Sequence, residues 1–263
     1  MSLYWHVAVK SFQKNLAYRA ANLAGIATNL FFGAVYVLVY RALFTGRGEV
    51  SGFTVDDTVT YAVLAQSLLM VMSAFGNREL SDAIVKGTIA VDLARPIDFY
   101  RYWAAVDLGR AVYYFFFRAI PTFLLGALLF GVEWPADLRT WVLFFAAMVL
   151  GMLVSFAFRF LTNSFAFWTS DARGVLYLTN TIIMFFSGFI VPLNFFPSWL
   201  ASLAYALPFR GLAQAPINVY LGKMTAGDIF VFSVQQMLWL VALTLAGRFM
   251  LTRMVRRVTL AGG

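Results

Sequence analysis

The sequence predicts an all-α, polytopic membrane fold with six transmembrane helices. Three observations predict it. Of the 263 residues, 62% are apolar and only 12% are charged, where soluble domains run near half and a quarter. The apolar residues are gathered into long blocks free of Asp, Glu, Lys and Arg. Finally, the basic residues fall between those blocks with a strong bias to one side.

The chain opens on an amphipathic segment over 1–20. Trp5, Val9, Phe12 and Leu16 recur on one helical face, and His6, Lys10 and Lys14 on another. Such a helix is expected to lie flat at the cytoplasmic interface. No apolar core with a small-residue cleavage site precedes it, so the first span is expected to act as its own insertion signal. A crossing needs roughly 20 apolar residues. The single membrane domain over 21–263 is then read as spans at about 21–43, 58–76, 111–131, 140–159, 174–191 and 229–248. The third contains Arg118 at membrane depth, with Pro121 placed to kink it.

The fifth block decides the count. Residues 174–209 hold 36 uncharged positions, about 54 Å as one helix. That is too long for one crossing and short for two with a turn. Pro192, Pro197 and Pro208 interrupt it. We read one span, followed by an outer re-entrant segment over 192–210, whose backbone protein would have to satisfy.

Orientation follows from counting. With the N-terminus inside, fourteen of the 20 Lys and Arg fall on the cytoplasmic side, Arg110 and Arg159 among them. Five, including Arg210 and Lys223, fall outside, and Arg118 is left in a span. The bias places both termini in the cytoplasm. The +8 formal charge is accounted for by this bias, so a nucleic-acid partner is not expected.

The composition excludes other chemistry. There is no cysteine and one histidine, His6, so thiolate metal sites and disulfides are absent. An enzyme needs a positioned base or nucleophile. The adjacent pair Asp56-Asp57 in an outer loop is explained as the helix cap of span two. No G-x-x-x-x-G-K-[ST] loop exists: only Lys223 follows a Gly, and Met224 comes next. Within spans, Arg118, Asn29, Gln66 and Asn180 are candidate polar residues of a pathway, with interhelical bonding the plainer role for the amides. Gly25 and Gly33 are suited to close helix approach.

The cytoplasmic loop over 77–103 is the most informative stretch. Arg78, Asp82 and Lys86 stand at i, i+4 and i+8, which predicts a charged helix with alternating pairs. Leu80 and Ile84 form its apolar face. Gly87 is placed to end it, and Arg95-Pro96 imposes a rigid turn. The string from Arg78 to Pro96, with Glu79 and Leu93, resembles the loop after span two in ABC-2 type exporter permeases. A second string, running through Gly188, Pro192, Pro197 and Trp199 to Leu207-Pro208-Phe209, is similar to that family's outer gate. The tail Arg256-Arg257 to Gly262-Gly263 resembles the end of its single-domain, six-span branch.

The resemblance implies that 1–20 is the connecting helix, and that Arg78, Glu79, Asp82, Lys86, Gly87, Leu93, Arg95 and Pro96 dock an ABC ATPase subunit. It implies that Gly188, Pro192, Pro197, Trp199 and Pro208 cap the path outside. It also implies a second permease, identical or a paralogue, and a bacterial inner membrane. ATP and Mg2+ would be bound by the partner ATPase, with no cofactor on this chain. Ala94 departs from the family, where a second Leu is common. A substrate-binding membrane module of an energy-coupling importer and a secondary transporter stand as alternatives. The latter would carry internal repeats and buried carboxylates, and the sequence reading finds neither.

Overall fold

The computed structural model describes residues 3–74, 76–93, 95–169 and 172–261, with side chains to Arg253. Ala94, Gly262 and Gly263 lie outside the described residues, as do the side chains of Arg256 and Arg257. Among the described residues every named element is helical.

Four helical stretches are long and apolar enough to cross a membrane: Arg19–Leu43, Phe99–Phe130, Leu138–Phe167 and Ala226–Arg253. We label the elements α1 (Leu3–Leu16), α2 (Arg19–Leu43), α3 (Val55–Leu68), α4 (Glu79–Val85), α5 (Ile89–Leu93), α6 (Phe99–Tyr114) and α7 (Ile120–Phe130). They continue as α8 (Leu138–Ser164), α9 (Arg173–Phe186), α10 (Ser198–Ala206), α11 (Gln214–Tyr220) and α12 (Ala226–Ala261). The predicted crossings at 58–76 and 174–191 correspond to α3 and α9, helices of 14 residues each, or about 21 Å.

α3 is the centre of the bundle. Every residue from Asp57 to Leu68 is buried. Small side chains make this possible. A Cβ on Gly126 of α7 would crowd Val63, and Gly33 of α2 faces the Gln66 stem. In a lipid surround apolar burial gives little driving force, so close contact at small residues and hydrogen bonds must hold the helix. The helix begins with a capping box: Asp57 N donates to Thr54 Oγ1 and Thr54 N to Asp57 Oδ2, at 3.1 and 2.7 Å. Asp57 therefore supports the cap from the third helical position, and Thr54 is the cap itself.

α6 and α7 form one long rod joined by a π-turn at Phe115–Ala119. Pro121 has no N–H to give, and the widened turn just before it absorbs the mismatch. The rod begins twelve residues earlier than the predicted span at 111, because Asp98 caps it by accepting from Arg101 N at 2.9 Å. The predicted loop over 77–103 thus ends at Asp98.

α1 does not stand apart as an isolated surface helix. It runs alongside α6 in the same direction. Asp98 N donates to the Tyr4 hydroxyl at 3.2 Å, Ser11 Oγ to Val106 O at 2.6 Å, and Phe12 meets Tyr113 edge-on at 5.9 Å. Gly109 lets the Ala8 carbonyl close in.

The molecule has two ends. At the distal end lie the loops after α2, α7 and α11: Lys223 pairs with Asp57 at 2.7 Å and Glu133 N donates to Thr60 at 2.9 Å. At the proximal end lie α4, α5, the start of α6 and the later part of α12, where Arg248 pairs with Asp98 at 2.9 Å.

Candidate functional site

α4 is a short helix with two faces. Leu80 and Ile84 are buried against a cluster that includes Phe99, Trp103 and Phe160. Arg78, Asp82, Val85, Lys86 and Gly87 are exposed. Ser81 N donates to Asn163 Oδ1 of α8 at 3.2 Å, and Lys14 of α1 pairs with Glu79. Gly87 ends the helix at φ +72°, with its N–H on Ile84 O at 3.0 Å. The expected Arg78–Asp82–Lys86 ladder does not form among the described residues. Arg78 and Lys86 are the caps of a seven-residue helix, so they leave its regular spacing. α5 follows; then Arg95 pairs with Asp92 at 3.3 Å and lies over the Tyr102 ring at 5.9 Å. Leu93 is half-buried and Pro96 exposed. A groove of about 230 Å3 beside α4 is lined by Arg78, Asp82, Val85 and Lys86, and by Arg173 and Leu176 of α9.

Behind α4 sits a charge node that the sequence reading missed. Asp107 of α6 accepts from both terminal nitrogens of Arg159 of α8 at 3.0 Å each, and from Arg110 Nε at 3.0 Å. All three residues are buried. Arg110 also donates to Met70 O and Val71 O at 2.7 and 3.2 Å, and Ser155 Oγ to Met72 O at 2.6 Å. These carbonyls belong to the turn just beyond α3. Asn163 Nδ2 donates to Arg159 O at 2.8 Å. A continuous set of bonds therefore runs from Ser81 on α4 through Asn163, Arg159, Asp107 and Arg110 to the end of α3. Asp107 and Asp57 correct the expectation that the chain buries no carboxylate. The available signal was Asp107 three residues before Arg110, a spacing that neutralises both within a helix.

Arg118 is held differently. Its Nη2 donates to Gly25 O at 3.1 Å and Asn29 Oδ1 at 3.2 Å, while its Nε has no partner. Asn29 Nδ2 donates to Gln66 O at 2.9 Å. So Arg118, Asn29 and the Gln66 backbone come together. Asn180 does not join them; it packs against Gly76.

The middle of α3 meets the segment after α9. The Tyr61 hydroxyl lies 2.7 Å from Gly188 O and 2.8 Å from Gln214 Oε1. Gly188 has φ +91°, and a Cβ there would press on both partners. Gln214 is the knot of this region: Leu193 N donates to its Oε1 at 2.8 Å, its N–H donates to Ser187 O at 2.9 Å, and its amide donates to Asn194 at 2.6 Å. Pro192 and Pro197 start the turns that lead into α10, whose Trp199 is exposed. Pro208 opens a 3-10 turn whose Gly211 carbonyl abuts Gly151, midway along α8. Arg210 is drawn inward, with Gln235 Oε1 at 2.5 Å and the Tyr205 ring 5.1 Å away. α11 is buried throughout, and none of the helices long and apolar enough to cross a membrane falls between 192 and 220.

A search among curated proteins returned no match. A family model described as ABC-2 family transporter protein matches residues 30–262, from the middle of α2 onward. With its long apolar helices, the chain is a multi-pass membrane transport component, not itself catalytic, and it belongs to the ABC-2 transporter family.

Proposed function

We propose that this chain is the permease subunit of an ATP-driven exporter, works as a dimer with a second permease, and is driven by a separate ATPase docked on α4 and α5. The proximal end is cytoplasmic in this reading, with both termini there, in a bacterial inner membrane. α2, α3, α6–α7, α8, α9 and α12 make the six crossings; α3 and α9 complete theirs with the turns that follow them. Residues 192–220 form the re-entrant cap. ATP and Mg2+ belong to the partner.

The observation that carries the reading is the bond path behind α4. A push on Arg78, Asp82, Val85 or Lys86 bears on a helix whose inner face is fixed to α8. From there it reaches the Asp107 node, then α3, then Tyr61 and the cap at Gly188 and Gln214. Each contact is polar and directional, so the path resists sliding. Contiguity supports the reading; coupling is established by perturbation.

The test is co-purification with a co-expressed ABC ATPase subunit from the same source. Val85→Asp on the exposed face is expected to abolish capture while leaving the permease folded. Capture that survives Val85→Asp together with Asp82→Arg overturns the docking surface. Tyr61→Phe is expected to keep capture and lower transport.

A further inference from the structure

Near the distal end, between α3, α7, α8 and α11, lies a carbon-lined cavity of about 210 Å3. Phe123, Trp134, Trp141, Phe144 and Tyr220 turn rings toward it. They pack edge to face, with centroids 5.3 Å apart for Phe123–Trp134 and 5.4 Å for both Trp141–Tyr220 and Phe144–Tyr220. Trp134 stands at the mouth, 56% exposed, whereas Tyr220 is 3% exposed. The buried Tyr220 hydroxyl has no hydrogen-bond partner, which is costly unless something fills the place.

Beside Trp134 carboxyl groups outnumber cations. Glu133 adjoins Trp134 in the chain and bears electrostatically on Tyr220 and on the Asp56–Asp57 pair. The cation within reach, Lys223, is taken up by Asp57 at 2.7 Å and rests 5.7 Å from the Phe53 ring. Asp56 and Glu133 make no salt bridge among the described residues. Three carboxyl groups, Glu133 and Asp57 within hydrogen-bond reach of each other, thus stand near one ammonium beside a box of aromatic rings. Ring faces are negative and attract cations, quaternary ammonium most familiarly. A dry cavity of about 150 Å3 already accepts a benzene ring, so this one takes a single ring and its substituent.

We propose that this cavity binds a small aromatic organic cation, its ring among Phe123, Trp141 and Phe144 and its charge toward Trp134 and Glu133. The proposal rests on the permease reading in one respect: such a cation would be the class of substrate carried.

The test uses the purified full chain in nanodiscs, without ATP or ATPase, so its failure leaves the docking reading untouched and the reverse. Phenyltrimethylammonium is titrated and tryptophan fluorescence followed, with tert-butylbenzene as the neutral probe of the same shape. Saturable binding of the cation is expected, tighter than the neutral probe. Trp134→Leu should weaken the cation about tenfold and Glu133→Gln about three- to tenfold, with the neutral probe unchanged by Glu133→Gln. Both residues are exposed, so the variants fold. Burial, then the Asp57 and Asp56 carboxylates, hold the Glu133 carboxyl above the ordinary range. Acidification should therefore weaken the cation before ordinary carboxylates titrate. Equal binding of both probes, no saturable binding, or a cation affinity indifferent to Glu133→Gln overturns the proposal.

Discussion

Arg110 and Arg118 lie eight residues apart on one rod and solve the same problem in opposite ways. Arg110 shares the Asp107 carboxylate with Arg159 and spends its remaining donors on the Met70 and Val71 carbonyls just after α3. Arg118 meets only neutral acceptors, Gly25 O and Asn29 Oδ1. The first arrangement is closed: every charge has a partner, and removing one strands the others. The second is open: a charge is neutralised by dipoles, with a donor to spare. A closed site suits a joint between helices. An open one suits a place where an anion or a conformational change is met.

The largest effect is expected at the closed site. Asp107→Asn leaves two buried guanidinium groups facing each other and should cost about 3–5 kcal/mol, read as lost thermal stability of the purified protein. A loss below about 1 kcal/mol would show that water reaches the node and would erase the contrast. Next comes Gly25→Ala, which puts a methyl where the flexible end of Arg118 lies; the guanidinium must swing away from Gly25 O and Asn29 Oδ1, costing at most those two bonds, about 0.5–1.5 kcal/mol each. Arg118→Gln in the same chain should add little to that loss, and the double-mutant cycle reads the coupling. Arg118→Gln alone removes the two bonds to Gly25 and Asn29, about 0.5–1.5 kcal/mol each. Its transport assay is sharper than its stability, since unchanged transport with normal folding removes Arg118 from the path. The smallest effect belongs to Lys14→Ala: the Lys14–Glu79 pair is exposed and worth about 0–1 kcal/mol.

The contrast also marks what the sequence could say. Charge-free blocks revealed α2, α8 and α12 because length and apolarity are local properties. The same rule began the third span at 111 and handed Asp107, Arg110 and Arg159 to the loops. The Asp107–Arg159 pair depends on α8 meeting α6, a pairing across 52 positions that no periodicity encodes. Arg118 was visible as a lone charge within an apolar block. The exposed face of α4 was legible from Arg78, Asp82 and Lys86, although the ladder they suggested is absent. α11 carries no charge signal, and its burial follows from packing alone. The aromatic box joins Phe123 to Tyr220, so its members looked like ordinary interfacial rings.

The pairing of α1 with α6 has a consequence for synthesis. Tyr4 and Ser11 leave the ribosome about 90 residues before Asp98 and Val106, their partners. At about 5–20 residues per second, α1 spends roughly 5–20 s without the surface it finally packs on. Its docking against Gly109 is therefore a late step of assembly. The first helix made is thus among the last to be seated, and a defect at Gly109 would surface as failed maturation of a fully inserted chain.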